Sequence, residues 1–182
     1  MRAITTIILF LALQIGLIAQ TEQRERVDVY VMSVDSILET CQEVPTYCGY
    51  YLNELHINKN GEQWRAVGQY HKTVKFWYTD DPGQIDEEEG KPVSVLKVVE
   101  VTVESTYYDV EYFFFDNGEL VYYSKHFEAS DGSEDTEVYF DGGRDVYLQH
   151  EKSDGSDNIS PDFAKNCLKE GLGYQKLFLT CF

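Results

Sequence analysis

Residues 107–127 read YYDVEYFFFDNGELVYYSKHF, two runs of aromatic and β-branched residues on either side of Asp116-Asn117-Gly118. An Asn-Gly pair suits the two-residue turns that join antiparallel strands, because both positions need positive φ angles. Alternating or continuous apolar residues on both sides of such a turn are typical of paired strands. Tyr107–Phe115 and Leu120–Phe127 are therefore predicted to form a β-hairpin.

The flanking sequence repeats this pattern. Thr136–Phe140 and Asp145–Gln149 enclose an Asp-Gly-Gly turn, and the second hairpin resembles the first at an offset of 25 residues. Alternation also predicts strands at Tyr50–Ile57, Trp64–Tyr78 and Val93–Val103, with a turn-rich acidic loop at 80–90 before the last of these. These segments predict an antiparallel, meandering β-sheet of about six strands.

Two segments instead have helical periodicity. Between Val27 and Cys41 the apolar residues recur every three or four positions, which predicts one apolar stripe on an N-terminal helix. Pro161–Leu172 predicts a second, short helix that ends at its glycines, and Tyr174–Cys181 would then be a strand that folds back on it. The predicted fold class is α+β, with the two helices covering the sheet.

The amino terminus has the pattern of a secretory signal. Arg2 is followed by an apolar run over Ile4–Ile18, and the small residue Ala19 precedes polar residues. A membrane anchor is the alternative, but the run is short for a span of about 20 residues and no basic flank follows it. We expect a signal peptide at 1–19, a single secreted or periplasmic domain at 20–182, and no stable membrane insertion after cleavage.

Four cysteines, Cys41, Cys48, Cys167 and Cys181, predict two disulfides in an exported chain. No C-x-x-C unit is present, so the spacing gives little support to the rival hypothesis of a zinc site. Three pairings are possible. A helix followed by a returning strand would separate Cys167 from Cys181 by roughly 15 Å, beyond the roughly 7 Å a disulfide tolerates, which favours bridges between the N-terminal and the C-terminal pair.

Composition excludes several classes of protein. The chain has 182 residues and a formal net charge of -17, from 32 acidic and 15 basic residues, and 14% of its residues are aromatic. So many aromatic residues exclude a disordered acidic tail, and the charge argues against nucleic acid as a partner. A basic protein or peptide suits this surface better.

Motifs for catalysis or metal binding are weak. The four histidines, His56, His71, His126 and His150, are isolated in sequence, and the motifs of nucleophilic enzymes are missing. Abundant carboxylates make any single glycosidase-like pair uninformative. Two acidic loops, 131–135 and 154–158, have oxygen-bearing side chains but lack the spacing of an EF-hand, so solvated loops are preferred to calcium sites. No cofactor and no metal is indicated.

Aromatic residues supply the remaining candidate site. Tyrosines and tryptophans fall on both faces of the predicted strands, so one face could cover the core while the other offers rings to a carbohydrate or peptide. Cross-strand pairs that stabilise the sheet are the alternative explanation. The possible ligand face consists of Trp64, Trp77, Tyr78, Tyr112 and Tyr122.

The stretch Leu52–Gly61 followed by Trp64–Tyr70, together with Tyr112–Tyr122, resembles small exported proteins of unknown function from Bacteroidota. The resemblance is one of pattern, in hairpins rich in aromatic residues, and extends over Tyr50–Tyr147. It implies a periplasmic or secreted bacterial location and transfers no catalytic residue.

Two functions from different classes remain. The favoured hypothesis is an exported, non-enzymatic binding domain that recognises a cationic partner through its sheet face or its acidic loops, whose charge is expected to lie mainly at hairpin ends, at 80–90, 131–137 and 151–162. The alternative is a secreted hydrolase that uses carboxylates or a histidine as acid and base.

Overall fold

A computed structural model describes residues 2–60, 62–64, 68–85, 90, 92–152, 160 and 162–182. The helices are α1 (Arg2–Glu43) and α2 (Phe163–Cys181), and a 3-10 turn (Pro45–Tyr47) follows α1. The strands are β1 (Tyr51–Ile57), β2 (Gln63–Trp64), β3 (Gly68–Gln69), β4 (His71–Ile85), β5 (Pro92–Glu104), β6 (Tyr108–Asp116), β7 (Glu119–Ala129), β8 (Gly132–Asp141) and β9 (Arg144–Lys152).

The main sheet has seven antiparallel strands in the order β1-β4-β5-β6-β7-β8-β9, while β2 and β3 pair separately. The α+β class and the antiparallel meander are confirmed, but six strands was one too few. The predicted strand Trp64–Tyr78 is divided among β2, β3 and β4. Asn58 bridges this division, since its side-chain Nδ2 donates to the backbone oxygens of Glu62 at 2.8 Å and Tyr70 at 2.6 Å.

Both predicted hairpins are confirmed, and they share their geometry. Asn117 and Gly118 have φ angles of 50° and 80°, and Gly142 and Gly143 have φ angles of 55° and 74°. Each hairpin also has a register shift just before its turn, at equivalent positions. The sequence similarity at an offset of 25 residues therefore reflects two copies of one hairpin geometry.

The prediction of a loop over 80–90 is wrong for residues 80–85. Strand β4 continues to Ile85, and Asp80 and Asp81 pair with Ser94 and Val93 of β5. Asp81 also accepts a hydrogen bond from the backbone nitrogen of Gly83 at 2.8 Å. The turn residues that suggested a loop are thus accommodated within a long β4–β5 ribbon, and 86–89 lie outside the described residues.

The two helices cover opposite faces of the sheet, which we call the α1 face and the α2 face. Because successive residues of a strand point to opposite sides, the apolar positions divide into two buried clusters. On the α1 face these are Val27, Val34, Leu38, Cys41, Trp77, Val98, Phe114, Tyr122 and Tyr139. On the α2 face they are Val74, Phe76, Leu96, Val99, Val101, Phe113, Phe115, Leu120, Tyr123, Val138, Phe140, Ala164, Cys167 and Phe178.

Helix α1 is attached to the sheet by polar as well as apolar contacts. The predicted helix over Val27–Cys41 is confirmed as part of it. Tyr139 donates a hydrogen bond to the Asp28 carboxylate at 2.7 Å, and the Arg24 guanidinium lies 4.4 Å from the ring centroid of Tyr147. Tyr30 donates to the backbone oxygen of Phe115. Within the part of the chain that the structure describes, no helix is both long and apolar enough to cross a membrane.

Helix α2 corrects the prediction for the C-terminal segment. It is one continuous helix, so Tyr174–Cys181 is not a strand and the helix is not short. Gly171 does not end it: a Cβ atom there would lie 3.0 Å from side-chain carbons of both Phe113 and Leu120. The glycine permits the helix to approach the sheet closely, a role that a helix-stop interpretation of the sequence missed.

The predicted pairing of the cysteines is also wrong. Cys41 and Cys48 form a disulfide with a Cα–Cα distance of 4.3 Å, while Cys167 is a buried free thiol and Cys181 an exposed one. Both free thiols lie on α2, where fourteen residues at 1.5 Å each separate them by about 21 Å. The structure has one disulfide instead of two, and it joins the end of α1 to the segment before β1.

Candidate cation-binding groove

Helix α1 crosses the sheet above one row of side chains and leaves the rest of the α1 face open. The covered row contains one residue from each of the strands β4 to β9, paired in register. It consists of Trp77, Val98, Phe114, Tyr122, Tyr139 and Tyr147. These side chains are buried, except that Tyr147 at the sheet edge is 38% exposed. The open area therefore begins at the next row.

Three open rows follow, and we call their side chains the acidic face. The first is Glu54, Lys75, Glu100, Tyr112, Ser124, Glu137 and Gln149. The second is His56, Thr73, Thr102, Val110, His126, Asp135 and Glu151, and the third is His71, Glu104, Tyr108, Glu128 and Ser133. These rows contain seven carboxylates and a single lysine. At neutral pH the acidic face is strongly negative.

A groove of about 360 Å³ runs along the side of α1, between the helix and the first open row. The helix contributes one wall through residues spaced three or four apart, which share a helical face. The sheet contributes the floor and the other wall. The lining residues are Val31, Asp35, Leu38, Glu39, Gln42, Glu100, Tyr112, Phe114, Tyr122 and Ser124.

Three carboxylates face this groove. Glu100 is only 12% exposed and pairs with the ammonium of Lys75 at 2.9 Å. Asp35 and Glu39 are exposed on the helix wall, and partial desolvation followed by the charge of Glu39 raises the pKa of Asp35. A raised pKa means that the surroundings disfavour the ionised carboxylate, so a cation placed beside Asp35 and Glu39 would be stabilised.

The floor of the groove is aromatic. Phe114 and Tyr122 are buried, and Tyr112, which belongs to the first open row, is half-buried beside them. Burial, followed by the charge of Glu100, raises the pKa of Tyr112 to about 12, so its hydroxyl stays protonated. Tyr122 donates a hydrogen bond to Glu137 at 2.8 Å. Carboxylates around aromatic rings are suited to an alkylammonium or guanidinium group.

The five aromatic residues predicted as a ligand face do not form one surface. Tyr112 and Tyr122 line the groove, but Trp77 is buried beneath α1. Tyr78 lies on the opposite face, where its ring centroid is 5.2 Å from that of Phe178. Trp77 and Tyr78 are consecutive strand residues and must point apart. The side chain of Trp64 lies outside the described residues.

The carboxylates of the groove were missed by reasoning from sequence, which placed the acidic charge mainly at hairpin ends. Glu100 lies between the buried residues Val99 and Val101, and this alternation marked it as facing away from the α2 cluster. Asp35 and Glu39 are four residues apart on the polar side of the predicted helix. Only the strand register shows that these positions converge.

Of the two acidic loops considered for calcium, only 131–135 lies within the described residues. Ser133, Glu134 and Asp135 belong to strand β8, so Glu134 and Asp135 point to opposite faces. The second loop, 154–158, lies outside the described residues. Among the residues that are described, no group of three or more histidine, cysteine or acidic side chains is arranged to hold a metal ion.

The α2 face contains a second polar cluster, which is partly buried. Lys125 contacts Asp109 at 2.9 Å and Glu111 at 3.4 Å. Burial raises the pKa of Glu111, whose carboxylate also accepts a hydrogen bond from Tyr123 at 2.9 Å. Burial, followed by the charge of Glu111, raises the pKa of the Cys167 thiol to about 12. This thiol is therefore protonated and unreactive at neutral pH.

No known protein family, curated protein or solved structure matches the chain. The function is therefore inferred from the chain's own residues.

Proposed function

We propose that this chain is an exported binding domain that recognises a cationic partner, a basic protein or peptide, through the groove and the adjoining acidic face. The single observation that supports the proposal most strongly is the convergence of Asp35, Glu39 and Glu100 on an aromatic-floored groove. Lys75 is the cation paired with Glu100, and the raised pKa of Asp35 indicates that its charge is poorly compensated. A lysine or arginine side chain of the partner would supply the missing positive charge.

The shape of the site supports a peptide-like partner over a single small cation. The groove is continuous with the acidic face, whose carboxylates extend from Glu54 on β1 to Glu151 on β9. A chain with several basic residues could place one in the groove and others along the open rows. Opposed charge of this kind accelerates association and selects partners, in addition to its contribution to affinity.

The most enclosed histidine is unsuited to serve as the base of a hydrolase, because it is inaccessible on the face opposite the groove. His150 is 4% exposed, accepts or donates one hydrogen bond with Thr136 at 2.9 Å, and lies 3.6 Å from Glu134 on the α2 face. A general base must reach its substrate. The groove itself has carboxylates and aromatic rings, a composition that favours holding a cation.

The proposal includes a location outside the cytosol. The signal-like segment at 1–19 and the resemblance to exported proteins of Bacteroidota both support secretion or a periplasmic site. The Cys41–Cys48 disulfide is typical of oxidising compartments.

A fluorescence anisotropy titration with dye-labelled hexalysine tests the proposal. Wild-type protein should bind at low ionic strength and lose affinity as salt is added, because exposed charges are screened over about 10 Å at 0.1 M salt. The double variant Asp35→Asn/Glu39→Gln should bind about tenfold more weakly, from about 0.7 kcal/mol for each lost charge pair.

A matched control removes the same charge from hairpin turns. Glu119→Gln/Asp141→Asn changes two exposed carboxylates next to the β6–β7 and β8–β9 turns, and should alter affinity by less than about twofold. Equal losses in both double variants would show that the peptide senses net charge alone and would refute the groove. Absence of hexalysine binding by wild-type protein at low salt would refute the proposed function altogether.

A further inference from the structure

Three of the chain's four histidines lie on the acidic face, each beside a carboxylate of that face. His56 Nε2 is 3.1 Å from Glu54, and His126 Nδ1 is 2.7 Å from Asp135. His71 Nδ1 is 3.7 Å from a Glu104 oxygen. Histidine is the side chain that ordinarily changes charge between pH 5 and 8. The surface proposed to bind cations thus contains side chains that can themselves become positively charged.

His56 and His71 form one group at the β1 edge of the sheet. Their rings are stacked, with centroids 5.9 Å apart. Three strands meet there, and the polar groups that face the pair from them are Glu54 on β1, Thr73 and Lys75 on β4, and Glu104 on β5. Thr73 Oγ1 lies 3.3 Å from His56 Nδ1. Two carboxylates and one ammonium group therefore surround this pair.

His126 lies near the other side of the sheet. On its own strand, β7, Ser124 and Glu128 share its face. The neighbouring strands present Tyr108, Val110 and Tyr112 on β6, and Ser133, Asp135 and Glu137 on β8, with Glu151 on β9 beyond them. Each charged group in this set is a carboxylate. Protonated His126 would neutralise part of their charge, and so compete with an external cation.

We propose that protonation of His56, His71 and His126 on mild acidification releases the cationic partner, so that the domain binds at neutral pH and releases its partner in mildly acidic conditions. The inference rests on the proposed function, which it extends to the regulation of the same surface. The three open rows have seven carboxylates and one lysine, and three protonated histidines would halve their net negative charge from six to three.

The direction of the pH effect follows from the thermodynamic linkage between proton binding and peptide binding. A bound cationic peptide repels the protons that would charge these histidines, and the protonated histidines repel the peptide. None of the three histidines lines the groove, so each repulsion should be weaker than the direct charge pairs there, about twofold, and three together should weaken hexalysine binding by about tenfold between about pH 7.8 and about pH 5.8. The lysines of the peptide remain fully charged over this range.

The experiment measures hexalysine affinity at both pH values and constant ionic strength, for wild-type protein and for His56→Gln/His71→Gln/His126→Gln. Wild-type affinity should fall about tenfold on acidification, and the triple variant should change by less than about twofold. Because the pKa of Asp35 is raised, the same pair of measurements on Asp35→Asn shows how much of the fall comes from that carboxylate.

The outcomes separate the two proposals. Absence of binding at the higher pH refutes the binding function, whereas binding that is equally strong at both pH values refutes only the histidine release. An undiminished fall in the triple variant would assign the effect to carboxylates and also refute it. If circular dichroism shows the triple variant unfolded, the three single variants decide, since each should remove about a twofold part of the effect.

Discussion

The close approach of α2 to the sheet predicts opposite outcomes for two glycines in the same helix. At Gly171 a new Cβ would lie 3.0 Å from side-chain carbons of Phe113 and Leu120, whereas at Gly173 nothing lies within 4 Å. Phe113 is 0% exposed and Leu120 2% exposed, so neither has space to move away. Gly171→Ala should therefore destabilise the protein, and Gly173→Ala should stabilise it.

The magnitudes follow from two opposing effects. Replacing glycine by alanine inside a helix gains about 1 kcal/mol of stability from helix propensity. Overpacking a filled core costs about 1–3 kcal/mol. Gly173→Ala should thus raise the free energy of unfolding by about 1 kcal/mol, and Gly171→Ala should lower it by about 1 kcal/mol, a separation of about 2 kcal/mol.

Denaturant unfolding followed by tryptophan fluorescence and far-UV circular dichroism measures both variants against wild type. In thermal unfolding, the difference in stability between the two variants corresponds to a difference of about 4–8 °C in melting temperature, because each kcal/mol shifts the melting temperature of a domain of this size by about 2–4 °C. Because the two substitutions are identical and two residues apart, propensity and unfolded-state effects cancel. Equal stability of the two variants, or a more stable Gly171→Ala, would refute the interpretation of Gly171 as a contact glycine.

Two further predictions concern covalent and ionic contacts. Reducing the Cys41–Cys48 disulfide should lower the free energy of unfolding by about 2–3 kcal/mol, because the loop that it closes is short. The variant Cys167→Ser/Cys181→Ser keeps this disulfide, so reductant should destabilise it as much as it destabilises the wild type. A double-serine variant that is insensitive to reductant would contradict the observed pairing. Lys125→Met should cost about 3 kcal/mol at neutral pH, because it leaves two partly buried carboxylates without their cation. Those carboxylates would then have raised pKa values in the folded protein, so the loss should shrink as the pH falls toward about 4, and a pH-independent loss would point to packing instead.

Alternation and turn chemistry were sufficient to predict most of the sheet. The Asn117-Gly118 turn requires positive φ angles, and it lies where the sequence placed it. Long-range consequences were harder to predict. Aromatic residues occurred on both sides of the strands because each face of the sheet packs against a helix.

The error in the C-terminal segment shows why. A glycine in a helical pattern has two physical explanations, a stop signal or a close contact, and Gly171 is the second. The wrong cysteine pairing has a different cause: Cys167 and Cys181 are too far apart to pair, as predicted, but they remain free instead of bridging to Cys41 and Cys48. The groove required strand register and the position of α1 on the sheet, which are properties of tertiary packing and not of local sequence.

The repeated hairpin has a consequence for how this sheet could grow. Phe114 and Tyr122 have counterparts at Tyr139 and Tyr147, so each hairpin adds one pair of rings to the row beneath α1. One such unit widens the sheet by two strands, or about 10 Å. The arrangement is modular. An additional 25-residue hairpin would lengthen both the aromatic row beneath α1 and the charged rows beside it, without altering the strands already present.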